Sequence, residues 1–256
     1  MIVMDKLKLL MGREMPFKSE YGLYVRQPRV SEVVDIGEDA FNDLIYPFIL
    51  TSEAVFNGQD NSDELSAKYS IYQLYFATMG EGEFILDGIF GGKSALDALK
   101  DSISYFLNVE SKDIQFLTQR KKIVIGECVI DEQDFIALRK IVQLVVSRED
   151  IAFEKVPKNM TERQRDIWEK LQRGRRNTAR RDALYLQDMI NVVSFGGSTY
   201  IPLDSIERMT FYQLRNAYKS VMSMDAYKMG MDYKLSPKYE VKDEVEHWTK
   251  SLRIGM

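Results

Sequence analysis

The chain has 256 residues, 45% apolar and 29% charged, the balance of a folded protein with one large core or two small ones. A disordered chain would have fewer apolar residues and a larger charge imbalance. The net charge of −4 excludes a global attraction to nucleic acid or an anionic membrane, and a lone cysteine, Cys128, excludes an intramolecular disulfide.

In chain order, Met1 to Leu10 is apolar but interrupted by Asp5, Lys6 and Lys8, and lacks the uncharged run and cleavage site of a signal peptide. No run is long and apolar enough to predict a membrane span. Residues 21–26 are β-prone and stopped by Pro28. Ser31 is predicted to cap a helix that carries Val33, Val34 and Ile36 and continues through Phe41, Leu44 and Ile45 to Pro47. Residues 57–63 read as an exposed loop. Leu65, Tyr69, Tyr72, Phe76 and Met79 then recur at helical spacing and predict one aromatic stripe. Gly80, Gly82, Gly88, Gly91 and Gly92 punctuate the next stretch, up to a helix capped by Ser94, with Asp97 in its first turn and a stripe of Leu96, Leu99, Ile103 and Phe106.

Residues 113–130 predict a β-hairpin or two short strands, with Cys128 in the apolar run Ile123 to Ile130 as a buried structural thiol. Asp131 caps a helix faced by Phe135, Leu138, Val142 and Val145, and residues 148–160, with Pro157, read as a linker. Thr161 with Gln164 and Thr210 with Gln213 have the spacing of capping boxes. Leu186, Met189, Ile190 and Val193 form a stripe ending at Gly196 and Gly197. Phe211, Leu214, Tyr218, Val221 and Met222 form another, and Val241, Val245, Trp248 and Leu252 an amphipathic end. The expectation is an α+β, mostly helical protein, with an N-terminal α+β region over 1–150 and a C-terminal helical region over 158–256.

Few residues suggest chemistry. Gly91-Gly92-Lys93-Ser94 invites comparison with a phosphate-binding loop, but the position that must hold its first glycine is Asp87, whose carboxylate would repel phosphate. A glycine turn with a helix cap is the better reading. The single histidine, His247, would have to serve any histidine-dependent mechanism or metal site, and nothing in the sequence brings Cys128 to it. Asp60, Asp63 and Glu64 miss calcium-loop spacing, and Glu81, Glu83 and Asp87 alternate with glycines as exposed turns do. We therefore expect no catalytic residues, no cofactor and no metal.

Charge patterning is more informative. Residues 30–67 hold nine acids and no lysine or arginine, whereas Arg173, Arg175, Arg176, Arg180 and Arg181 fall within nine residues that contain no acid. Clustered guanidinium groups clamp carboxylates or phosphates. The run is either a docking site or a solvated face that answers the acidic tract within the chain or across an oligomer. It lacks interleaved aromatics for stacking bases, and the chain is acidic, so protein carboxylates are expected over nucleic acid.

Three late segments, LYLQDMINVVS from Leu184, IERMTFYQL from Ile206 and VKDEVEHW from Val241, come after an opening YVRQPRVSEVVDIG from Tyr24. This order resembles tail-region proteins of phages that infect Gram-positive bacteria, above all the tail assembly chaperones. The resemblance implies a non-enzymatic role in the host cytoplasm, binding the helical tape-measure protein until the tail tube polymerises around it, with no membrane partner. Helical surfaces rich in methionine and aromatics suit that task. The tail tube protein or a second copy of the chain are the other expected partners; a tail or baseplate component retained in the virion and a nucleic-acid-binding regulator using the arginine run are the alternatives.

Overall fold

The computed structural model describes residues 6–59, 61–77, 86–158, 160–181, 183–236, 238 and 244–252. The fold is α+β and mostly helical, with its strands in the N-terminal half. Met79, Gly80, Glu81, Gly82, Glu83, Asp60 and Val241 lie outside the described residues.

Helix α1 (Lys6–Leu10) leads into an antiparallel hairpin of β1 (Met15–Lys18) and β2 (Leu23–Val25). Leu23 and Val25 are buried and Tyr24 between them is exposed, the alternation of a strand with one face on the core. The single helix expected from Ser31 is instead two, α2 (Val30–Ile36) and α3 (Glu38–Ile49). Gly37 between them has φ 87°, a conformation that breaks the helix and that side chains resist. The cap of α2 is Arg29, whose backbone N–H donates to Glu32 Oε2 at 2.8 Å, so Ser31 sits inside the helix.

Pro47 is tolerated near the end of α3, where Arg139 takes over the terminal carbonyls. Its guanidinium donates to Phe48 O at 2.8 Å, Leu50 O at 2.7 Å and Asp150 Oδ1 at 2.6 Å.

The loop expected over 57–63 ends early. After α4 (Ser52–Val55), α5 (Ser62–Lys68) already contains Ser62 and Asp63. The aromatic stripe likewise divides between α5 and α6 (Ile71–Tyr75), because Tyr69 is extended and Ser70 restarts the helix by accepting from Gln73 N–H at 3.2 Å. Tyr72 and Phe76 of that stripe are buried, and so is Tyr75 outside it; the Tyr72 and Tyr75 hydroxyls donate to Lys121 O at 2.8 Å and Pro47 O at 3.0 Å.

Helix α7 (Ala95–Leu107) starts at Ser94, whose hydroxyl accepts from Asp97 N–H at 3.0 Å. The β segment is a three-stranded antiparallel meander, β3 (Ile114–Leu117), β4 (Lys122–Ile125) and β5 (Cys128–Ile130). The apolar run Ile123 to Ile130 supplies both of its last strands by folding back at Gly126 and Glu127, which gives three strands where two were expected. Asp131 caps α8 (Glu132–Val145), and Phe135, Leu138, Val142 and Val145 are all fully buried.

Residues 149–158 have no regular structure and lie along α3 and α4, tied by Ile151 N–H to Ile49 O at 2.9 Å and Asn57 Nδ2 to Glu154 O at 3.0 Å. Then come α9 (Glu162–Arg181), α10 (Leu186–Asn191) with a π-helical turn over Val192–Gly196, α11 (Leu203–Arg208), α12 (Phe211–Leu235) and a 3₁₀ turn, Trp248–Leu252. Both predicted capping boxes form, at Thr161 with Gln164 and at Thr210 with Gln213. The terminal segment returns onto α12, where Val245 sits so close to Gly230 that an added Cβ there would lie 3.1 Å from its methyl.

Leu186, Met189, Val193, Ile206, Phe211 and Leu214 join the same buried cluster as Val30, Phe41 and Leu99. Phe41 meets Phe211 edge-on at 5.0 Å. Around that contact the opening segment pairs with the second late one. Phe211 N–H donates to Pro28 O at 2.7 Å and Val30 N–H to Met209 O at 2.9 Å. Gln27 bridges them, its amide donating to Arg13 O at 2.7 Å and Leu9 O at 3.1 Å while its oxygen accepts from the Thr210 hydroxyl at 3.1 Å.

Candidate functional site

The five arginines of the sequence fall at the C-terminal end of α9. Side chains are described for two of them. Arg175 pairs with Glu154, which also accepts from Gln172 Nε2 at 2.8 Å, and that shared contact holds the Glu154 carboxyl below its ordinary range. Arg173 is exposed and makes no ion pair among the described residues. The side chains of Arg176, Arg180 and Arg181 lie outside the described set. Glu154 is not part of the acidic tract. Within that tract Asp63 takes Lys155 at 3.1 Å and Lys158 at 2.9 Å, Glu32 takes Arg26 at 3.3 Å, and both oxygens of Glu38 accept from Leu186 N–H. Arg173 and Arg175 therefore do not pair with the acidic tract within the chain.

What the arginine count alone does not show is the other side of α9. Trp168, Glu169 and Gln172 line one cleft with residues 156–158 and 160. Ile167 and Leu171 are 50% and 52% exposed, and with Gly174 and Thr178 they line one shallow apolar depression. Positions 167, 171, 174 and 178 recur at spacings of four, three and four, the seam of a helix that packs against another helix. Arg163, Lys170 and Arg175 flank that seam, while Glu162, Asp166 and Glu169 fall on the far side of the helix. The spacing was available in the sequence, but Gly174 and Thr178 carry too little hydrophobicity to announce it.

The other residues weighed for chemistry are structurally occupied. Lys93 donates to Asp101 Oδ2 at 2.9 Å, an exposed pairing that raises its pKa, and Ser94 is engaged with Asp97 as the α7 cap. Asp87 to Ile89, ahead of the glycines, form a 3₁₀ turn. Cys128 is 1% exposed, and burial pushes its thiol pKa up, away from a nucleophilic thiolate. His247 is exposed beside Tyr227, with Nδ1 at 2.9 Å from the Thr249 hydroxyl. Among the described residues no group of three or more His, Cys, Asp or Glu could hold a metal ion, and no helix is long and apolar enough to cross a membrane.

Comparison with known families places part of the chain in a phage context. Residues 176–253, from the last turn of α9 to the final 3₁₀ turn, match the family model described as the YomV second domain, a phage-associated domain. That match covers all three late segments on which the resemblance rests and leaves the opening outside it. Neither curated proteins nor solved structures return a match.

Proposed function

We propose that the protein is a non-enzymatic phage morphogenesis factor that acts in the host cytoplasm as a tail assembly chaperone, holding a helical segment of the tape-measure protein against α9. The observation that carries this reading is the α9 seam. A 20-residue helix with Ile167 and Leu171 half-exposed on one line leaves apolar area open that a second helix would bury. The basic flank of Arg163, Lys170 and Arg175 would set like charges against like in a parallel pairing with a second copy, so an amphipathic helix with acidic flanks is the complementary partner. The phage-associated match over 176–253 and the resemblance to tail proteins support the same reading.

The test is co-purification of the tape-measure protein with the co-expressed chain, alongside mass spectrometry of purified particles. A soluble complex lost in the Ile167→Asp, Leu171→Asp double variant, with the protein absent from finished virions, is the expected result. Presence in virions at fixed stoichiometry would assign it to the tail structure instead. Nucleic-acid binding with a steep salt dependence would assign it to regulation.

A further inference from the structure

We propose that the pocket between Arg148 and Arg215 binds an oxyanion, the carboxylate or phosphate group of a small ligand. The pocket, about 310 Å³ in volume, lies where the first turn of α3, the end of α8, residues 183–185 and the second turn of α12 meet. Glu38, Asp39 and Asn42 form one wall, and Arg148 and Arg215 line the same space.

Arg215 is the anomaly. Its side chain is half-buried, the guanidinium resting 5.8 Å from the centre of the Phe211 ring. A buried guanidinium is ordinarily held by a carboxylate. Among the described residues Arg215 makes no ion pair, and the charge that acts on it is another arginine. Burial first, and the field of Arg148 second, pull its pKa down to about 10, so it remains charged at neutral pH.

Two carboxylates stand on the rim and oppose an anion. Glu38 is committed, since both its oxygens accept from Leu186 N–H, at 3.1 and 3.0 Å. Asp39 is exposed and makes no ion pair among the described residues. The pocket therefore brings a half-buried and an exposed guanidinium, neither in an ion pair among the described residues, to one space, and such planar donor forks match the several acceptor oxygens of a carboxylate or phosphate. The amide of Asn42, on the same wall, is a further donor within the pocket.

Titration calorimetry of the full chain with inorganic phosphate and, separately, with succinate tests this, with sodium chloride holding ionic strength constant. Saturable binding of one molecule of at least one anion is expected, and the anion that binds tells a phosphate ligand from a carboxylate one. Arg215→Met retains the packing on Phe211 and should weaken binding by about tenfold or more. Arg148→Ala, at an exposed position, should do the same without disturbing the fold, and it decides the matter if Arg215→Met fails to fold. Asp39→Asn should tighten binding by removing an opposing charge. No saturable heat with either anion, unchanged affinity in the arginine variants, or weaker binding in Asp39→Asn would overturn the proposal.

Discussion

Arg139 shows how one side chain can hold an element end in place. Its 15%-exposed guanidinium serves carbonyls that α3 leaves unpaired, and Gln143 adds a bond to Phe48 O at 2.8 Å. Arg139→Met should therefore lower stability by about 2–4 kcal/mol in urea titrations, since it orphans buried carbonyls as well as removing bonds. A loss within experimental error would mean that water replaces the guanidinium. Asp131 gives a second residue-scale expectation, in pH. The Asp134 N–H at the α8 cap is the main cause holding its carboxyl below the ordinary value of 3.8. A depressed carboxylate stabilises the fold fully above its unfolded pKa, and that contribution is lost as pH falls through the folded value. Asp131→Asn should consequently flatten the acid limb of the stability curve below about pH 5, where the unfolded carboxylate begins to protonate, and an unchanged limb would remove the cap from the account. The two cases differ in legibility. Asp131 and Asp134 are three positions apart and could be read from the sequence. Arg139 reaches carbonyls some 90 positions away, and no local pattern encodes that.

Elements were legible where periodicity ran uninterrupted and were misjudged where a backbone break cut a continuous stripe. The α7 and α8 faces emerged as the spacing of Leu99, Ile103, Phe135 and Leu138 implied. The breaks at Gly37 and Ser70 did not, because apolar spacing carries on across them while the backbone does not. Gly37→Ala tests the first break. An added Cβ there meets nothing within 4 Å, so the cost is conformational, about 1–2 kcal/mol from φ 87° alone. A neutral variant would show that the joint relaxes into a continuous helix. At α9 the expectation is the reverse. Leu171→Asp changes a half-exposed side chain and should leave the unfolding free energy within about 0.5 kcal/mol of the parent while weakening partner binding. A large stability loss would place Leu171 in an intramolecular contact and remove the seam from consideration.

At the scale of the molecule, composition separated 1–150 from 158–256 by a linker, whereas contacts between the regions are a property of the folded chain. Pairing residues 27–30 with 209–211 closes a loop of roughly 180 residues, a cost that grows slowly with length and is met by the packing it permits. The segments from Tyr24 and from Ile206 that carry the family resemblance thus form one joint, and Phe211 and Leu214 enter the cluster containing Phe41 and Leu99. Each large apolar side chain removed from such a core costs about 2–5 kcal/mol, against a total stability of about 5–15 kcal/mol. The fragment 1–150 lacks Leu186, Met189, Ile206, Phe211 and Leu214 together, so expressed alone it should show helical far-ultraviolet dichroism without dispersed amide resonances. Co-expression with 158–256 should restore the dispersion. Replacing residues 161–181 by a flexible linker, by contrast, should change the stability of the full chain by less than about 1 kcal/mol, because no described residue of α9 joins that cluster. A well-dispersed spectrum from 1–150 alone would make the regions independent, and would require the Phe41–Phe211 contact to be an interface between two cores.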